Sequence, residues 1–155
     1  MGTFYEEIAA TIAQNDEALE RYEETCAGYA NRIRRGLQSK LDWPDGQLAL
    51  VDFDEPPEGS RRASTFGHIS RDGFHFGLKV SGADDWHIVF YWTMHLLPLD
   101  KVELAGDPDS PRQTIVLDLH SDDPDETEPL AAYLREKIRA FVQRFTLASL
   151  TRKEH

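Results

Sequence analysis

The stretch that decides the fold is FGHISRDGFHFGLKVSGADDWHIVFYWTMHLL, residues 66–97. Apolar and polar residues alternate through it with a period of two, the mark of strands that turn one face to a core. Asp72-Gly73 lies between two such runs and predicts a hairpin. Pairing about that dipeptide opposes Ser70 to His75, Ile69 to Phe76 and His68 to Gly77. One face then carries Ile69, Phe74, Phe76, Leu78 and Val80, and the other carries Phe66, His68, Ser70, His75, Lys79 and Ser81. After the turn at Gly82-Ala83-Asp84-Asp85, two sets interleave: Trp86, Ile88, Phe90, Trp92 and Met94 against His87, Val89, Tyr91, Thr93 and His95. A slip of one residue would move the first set to the polar side and expose three aromatics. The first set is therefore expected to share the face of Phe74 and Phe76. Burying each of its aromatics is worth roughly 1.5–3 kcal/mol.

The flanks extend the sheet. Leu48 to Phe53 is a short apolar run, followed by the polar loop Asp54-Glu55-Pro56-Pro57-Glu58-Gly59. Lys101–Leu104 and Arg112–Leu119 form a second hairpin around Ala105–Pro111, with Ile115, Leu117 and Leu119 on one face. About six antiparallel strands in meander order are thus expected over residues 47–120.

Helical periodicity brackets the sheet. Thr3-Phe4-Tyr5-Glu6 has the capping-box pattern. Ile8, Ile12, Leu19, Tyr22, Cys26, Tyr29, Ile33 and Leu37 then recur at helical spacing, with Asn15 in the one gap. Residues 1–40 are read as one long helix, or as two if Asn15-Asp16 caps a second, with Gly36 and Trp43-Pro44 marking the end. The stripe either packs on the sheet or forms a coiled-coil seam in which Asn15 fixes the register. Tyr22, Tyr29, Gly28 and Gly36 suit a coiled coil poorly. Over residues 127–150, Leu130, Leu134, Ile138, Phe141, Phe145 and Leu150 make a second stripe beside Tyr133 and Val142, with Thr127 as the expected cap and Pro129 in the first turn. The fold class is α+β, one domain over residues 1–155. The element order is similar to that of helix-grip and other curved-sheet folds, and that similarity implies a cavity for an apolar ligand.

Composition narrows the partners. The chain carries 28 Asp and Glu against 17 Lys and Arg, a net charge of −11, so nucleic acid is not expected as a partner. Thirteen of the acids, against five bases, lie in residues 41–110, mostly at turns. They form either solvated loops or a negative rim that steers a basic partner. No apolar run is long enough to span a membrane, and the acidic start is unlike a secretion signal, so no membrane association and a cytoplasmic location are expected.

Histidine is the most suggestive residue type. Four of six, His68, His75, His87 and His95, fall on one expected sheet face, and imidazole serves as proton shuttle and metal ligand. Offsets of two positions between strands keep the outer pair too far apart for one ion, so no metal or other cofactor is expected. Cys26 reads as a small buried hydrophobe inside a helix stripe rather than a nucleophile. Asp118-Leu119-His120 has the spacing of the first metal motif of metallophosphoesterases, but no Gly-Asp or Gly-Asn-His motif follows it. No nucleophile elbow or phosphate-binding glycine loop occurs. The histidine face also carries Phe66, Val89, Tyr91 and Val116, and is exposed if both helices pack on the other side of the sheet.

These features point to a non-enzymatic protein-binding domain of adaptor, chaperone-like or inhibitor type. It would use acidic loops and a sheet face whose candidate residues are His68, His75, His95, Tyr91, Phe66 and Val89. One alternative is a carrier or enzyme with an apolar pocket between the sheet and the C-terminal helix, with His75, His95, Tyr91 and Trp92 near its mouth. The other is a homodimer joined through the N-terminal helix.

Overall fold

The computed structural model describes residues 2–52, 59–62, 66–70, 72–106, 114–120 and 123–153. Most of the expected loops at 54–59 and 105–111, and the side chains of Phe145 and Leu150, lie outside the described residues.

Helix α1, Phe4–Leu41, is continuous for 38 residues, so Asn15-Asp16 caps nothing. The expected capping box is present: Glu6 N–H donates to Thr3 Oγ1 and Thr3 N–H donates to Glu6 Oε2, both at 3.2 Å. The helix ends at Asp42, in the left-handed region at φ 50°, with Trp43 N–H donating to the Gln38 carbonyl at 3.0 Å and Pro44 preventing continuation. Gly36 does not mark the end. It stands inside the helix, where α1 meets the start of α2; a Cβ there would lie 2.8 Å from Thr127 Cγ2.

The strands are β1 Leu48–Val51, β2 Arg61–Arg62, β3 Gly67–Ser70, β4 Gly73–Ser81, β5 His87–Leu97, β6 Lys101–Gly106 and β7 Thr114–Asp118. They form one antiparallel sheet in the order β2-β3-β4-β5-β6-β7. Strand β1 leaves the meander and pairs with residues 77–80 of β4, while β3 pairs with residues 73–76 on the same edge. The addition to the six expected strands is β2, two residues long and too short for periodicity to reveal.

The β4–β5 register is the expected one, with Phe74 opposite Met94, Phe76 opposite Trp92, Leu78 opposite Phe90 and Val80 opposite Ile88. The β3–β4 hairpin departs from the expected register by two residues: Ser70 faces Gly73, Ile69 faces Phe74 and His68 faces His75. Gly73 is thus a strand residue at φ 130°, pressed so close to the Met94 carbonyl that a Cβ would lie 2.6 Å from it. A shift of two preserves which face each side chain occupies.

Helix α2, Glu128–Lys153, packs beside α1 on the same side of the sheet. Cys26, Ala30, Ile33 and Leu37 of α1 and Leu130, Ala131, Leu134 and Ile138 of α2 share one core with Phe74, Phe76, Trp92 and Met94. Thr127 precedes α2 but does not cap it through its hydroxyl, which is buried and unpartnered; Ala131 N–H is taken by the Thr127 carbonyl at 2.9 Å. Arg32 ties α1 to the segment between β7 and α2, gripping both Glu126 oxygens at 2.8 and 2.6 Å and donating to the Leu119 carbonyl at 2.8 Å. No helix is long and apolar enough to cross a membrane among the described residues.

Candidate functional site

With both helices on one face, no described helix covers the other. That outer face brings together His68, His75, His95, Val89 and Tyr91. Phe66 is not among them: it stands before β3 and packs edge-on against Phe74, with ring centroids 6.1 Å apart. The physical reason is Gly67, whose missing side chain leaves a seat for the Phe74 ring, so Phe66 follows the ring toward the core.

His68 and His75 are direct cross-strand partners, and His75 faces Thr93 on the other side. Only 3% of His75 is exposed. Its Nε2 lies 2.7 Å from Ser70 Oγ and its Nδ1 2.9 Å from Thr93 Oγ1, so both nitrogens are engaged. Burial lowers its pKa below the ordinary histidine value, and repulsion from His95 and His68 works in the same direction against the pull of Asp72. A neutral imidazole with both nitrogens occupied is a fixed part of the sheet rather than a free acid or base.

The flanking histidines are less settled. His68 Nδ1 faces Asp52 Oδ1 at 3.9 Å; both atoms are buried and lack a hydrogen-bond partner, while Arg62 donates to Asp52 Oδ2 at 2.8 Å. On the far side, His95 Nδ1 stands 3.9 Å from Glu103 Oε1. Asp52 and Arg62 were not legible as neighbours of the histidines, because only the β2–β3 pairing brings Arg62 opposite His68. Val89 closes over Gly77 together with Val51: a Cβ on Gly77 would lie 3.1 and 2.9 Å from their methyl groups. Val116, on β7, is 47% exposed.

Among the described residues, no three His, Cys, Asp or Glu side chains stand close enough to share a metal ion. Cys26 is wholly buried, and burial pushes its thiol up to about 12, far from any thiolate at neutral pH. His120 is not a ligand partner of Asp118 but part of a turn: its N–H donates to Asp118 Oδ1 at 3.0 Å, and its ring meets Asp100 Oδ2 at 3.3 Å.

A cleft of about 240 Å³ opens at the edge of β5 beside α2, lined by Ile88, Val89, Phe90, Tyr91, Trp92, Gly106, Tyr133, Lys137 and Arg144. It takes in Val89, Tyr91 and Trp92 but neither His75 nor His95. The Trp92 ring packs against Tyr133 with centroids 5.5 Å apart, and its buried Nε1 has no hydrogen-bond partner.

No protein-family model, curated protein or solved structure matches this chain.

Proposed function

We propose that this chain is a protein-binding domain that receives a partner on the outer face of its sheet. The observation that carries the reading is the one-sided packing of α1 and α2, which leaves a broad antiparallel sheet without a helix on its outer face among the described residues. That face mixes half-buried apolar groups, Val89 and Tyr91, with the exposed Val116 and with His95, Glu103 and Lys79. Apolar patches of this kind, rimmed by polar groups, are what protein interfaces use. The chain's net charge of −11 favours a basic partner, and its association would weaken with salt.

The test is affinity capture from the source organism at low and high salt, comparing the native chain with Val116→Glu. A discrete partner, lost at high salt and reduced at least about tenfold by the substitution, supports the reading. A chain that captures nothing, or a capture that Val116→Glu leaves unchanged, refutes it.

A second reading rests on Trp92. Its unpartnered indole N–H beside the β5–α2 cleft suits a small apolar ligand carrying one hydrogen-bond acceptor. Quenching of tryptophan fluorescence by such a ligand in the native chain, absent in Trp92→Phe, would favour this reading over the first.

A further inference from the structure

The apolar stripe of α1 outruns the body of the protein. Residues 4–18 of the helix are all exposed, and the first side chain to reach the core is Tyr22. Fifteen residues at 1.5 Å each make an arm about 22 Å long. At 3.6 residues per turn, Phe4, Ile8, Ile12, Asn15 and Leu19 continue the side of the helix that Tyr22 and Cys26 turn to the sheet. The same interface therefore runs on past the sheet with nothing among the described residues to cover it. Phe4 is 77% exposed, Tyr5 80%, Ile8 45% and Ile12 55%.

A second exposed apolar group lies further along α1, about 16 Å beyond the arm, at the level of Tyr29. Leu99 is 75% exposed, in the β5–β6 turn that Asp100 ties to Tyr29 of α1 through a 3.0 Å hydrogen bond. Leu99 has φ 62° and Asp100 φ 57°, a left-handed backbone that suits Gly or Asn far better than Leu. Of the seven large hydrophobic residues exposed among the described residues, five lie on the arm or on this turn.

Charge identifies the occupant. Residues 4–18 carry Glu6, Glu7, Asp16 and Glu17 and no base, a net charge of −4; by the same helical spacing Glu7 and Asp16 flank the stripe, and Glu6 and Glu17 stand on the opposite side. Two copies of the arm would bring together two segments of net charge −4, which disfavours a homodimer through this surface. A helix with its own apolar stripe and flanking Lys or Arg would bury Phe4, Ile8 and Ile12 while pairing with Glu7 and Asp16. We propose that the α1 arm is a docking strip for a basic amphipathic helix of a partner protein. This surface is separate from the outer sheet face, so either can fail without the other.

The probe is an 18-residue amphipathic peptide of leucine and lysine, with its leucine–glutamate counterpart as control. Binding is followed by fluorescence anisotropy, and the mass of the chain by sedimentation equilibrium. The native chain is expected to be monomeric and to bind the lysine peptide one to one, but not the glutamate peptide. Ile8→Ser/Ile12→Ser, which alters only exposed side chains and leaves the melting temperature unchanged, is expected to weaken binding at least about tenfold. Three outcomes would overturn the proposal: no binding of the lysine peptide, binding that the serine variant leaves intact, or a dimer of the native chain that the serine variant dissolves. The last would make a second copy the occupant.

Discussion

Two glycines in one helix provide a matched test of the packing. Gly28 and Gly36 both lie inside α1, and replacing glycine by alanine in a helix interior gains about 0.8–1 kcal/mol from backbone entropy alone. At Gly28 a Cβ would meet nothing within 4 Å, so Gly28→Ala should show that full gain. At Gly36 a Cβ would lie 2.8 Å from Thr127 Cγ2 and 3.0 Å from Thr127 Oγ1. Thr127 is β-branched and wholly buried, so it has little room to turn aside. Overpacking of this kind costs about 1–3 kcal/mol, which cancels or reverses the helix gain and sets the two substitutions about 1–3 kcal/mol apart. In a chain of this size each kcal/mol moves the melting temperature by about 2–4 °C, within reach of thermal and urea unfolding followed by circular dichroism. Thr127→Ala removes both close atoms together with an unpartnered buried hydroxyl, so Gly36→Ala should become stabilising in that background. If Gly36→Ala stabilises as much as Gly28→Ala, or if Thr127→Ala does not change its effect, then α1 and α2 do not meet as described.

Three further outcomes follow from individual side chains. The lowered pKa of His75 means that below the ordinary histidine value of 6.5 the unfolded chain takes up a proton that the native chain resists. Its contribution is therefore fully present above pH 6.5 and is lost as the pH falls toward the folded-state value; the urea midpoint should drop over that range, less steeply in His75→Gln, and a flat midpoint would contradict the burial of the ring. Cys26 should resist a disulfide reagent at pH 8 in the native chain and react stoichiometrically in guanidinium chloride, since its thiol is buried and titrates near 12. Arg32→Ala should cost about 2–4 kcal/mol in urea unfolding by stranding Glu126, whose side chain is 9% exposed, and the Leu119 carbonyl; Arg32→Lys should recover only part, for want of the guanidinium fork.

What the sequence disclosed depended on the period of its signals. The β4–β5 ladder was legible because a one-residue slip would have exposed Trp86, Phe90 and Trp92, an error that burial energy forbids. The β3–β4 register was not, because a two-residue shift costs nothing in face assignment, and the choice fell to the fit of Gly73 under Met94, which no local pattern records. Arg61–Arg62 is too short to show alternation, so the contact of Arg62 with Asp52 beside His68 arises only from tertiary pairing. The histidines were correctly grouped on a face, but their exposure was not legible: Ser70 and Thr93 close over His75, while Phe66 turns to the core through the gap at Gly67. The stripe of α1 was read along its whole length, but spacing alone does not say where the sheet beneath it stops.

That stopping point bears on why the arm is helical at all. Isolated helices of about 15 residues are marginal in water, and most helices in proteins owe their stability to a buried face. The arm has no such face, but it extends a helix already nucleated on the core, so each residue needs only to propagate. Its sequence supplies what propagation requires. The Thr3–Glu6 capping box satisfies the first turn, Glu6 and Glu7 complement the helix dipole, and Ala9, Ala10, Ala13 and Ala18 are the best of helix formers. Glu17 stands four residues before Arg21, the favourable order for a helical ion pair. None of this needs Phe4, Ile8 or Ile12, whose places alanine would fill at lower cost to the helix and with less apolar surface in water. The arm is thus rigid for one set of reasons and apolar for another. A rigid, apolar, acidic strip is preorganised: a partner that docks on it meets a helix already formed, and the ordering cost of association falls on the partner alone.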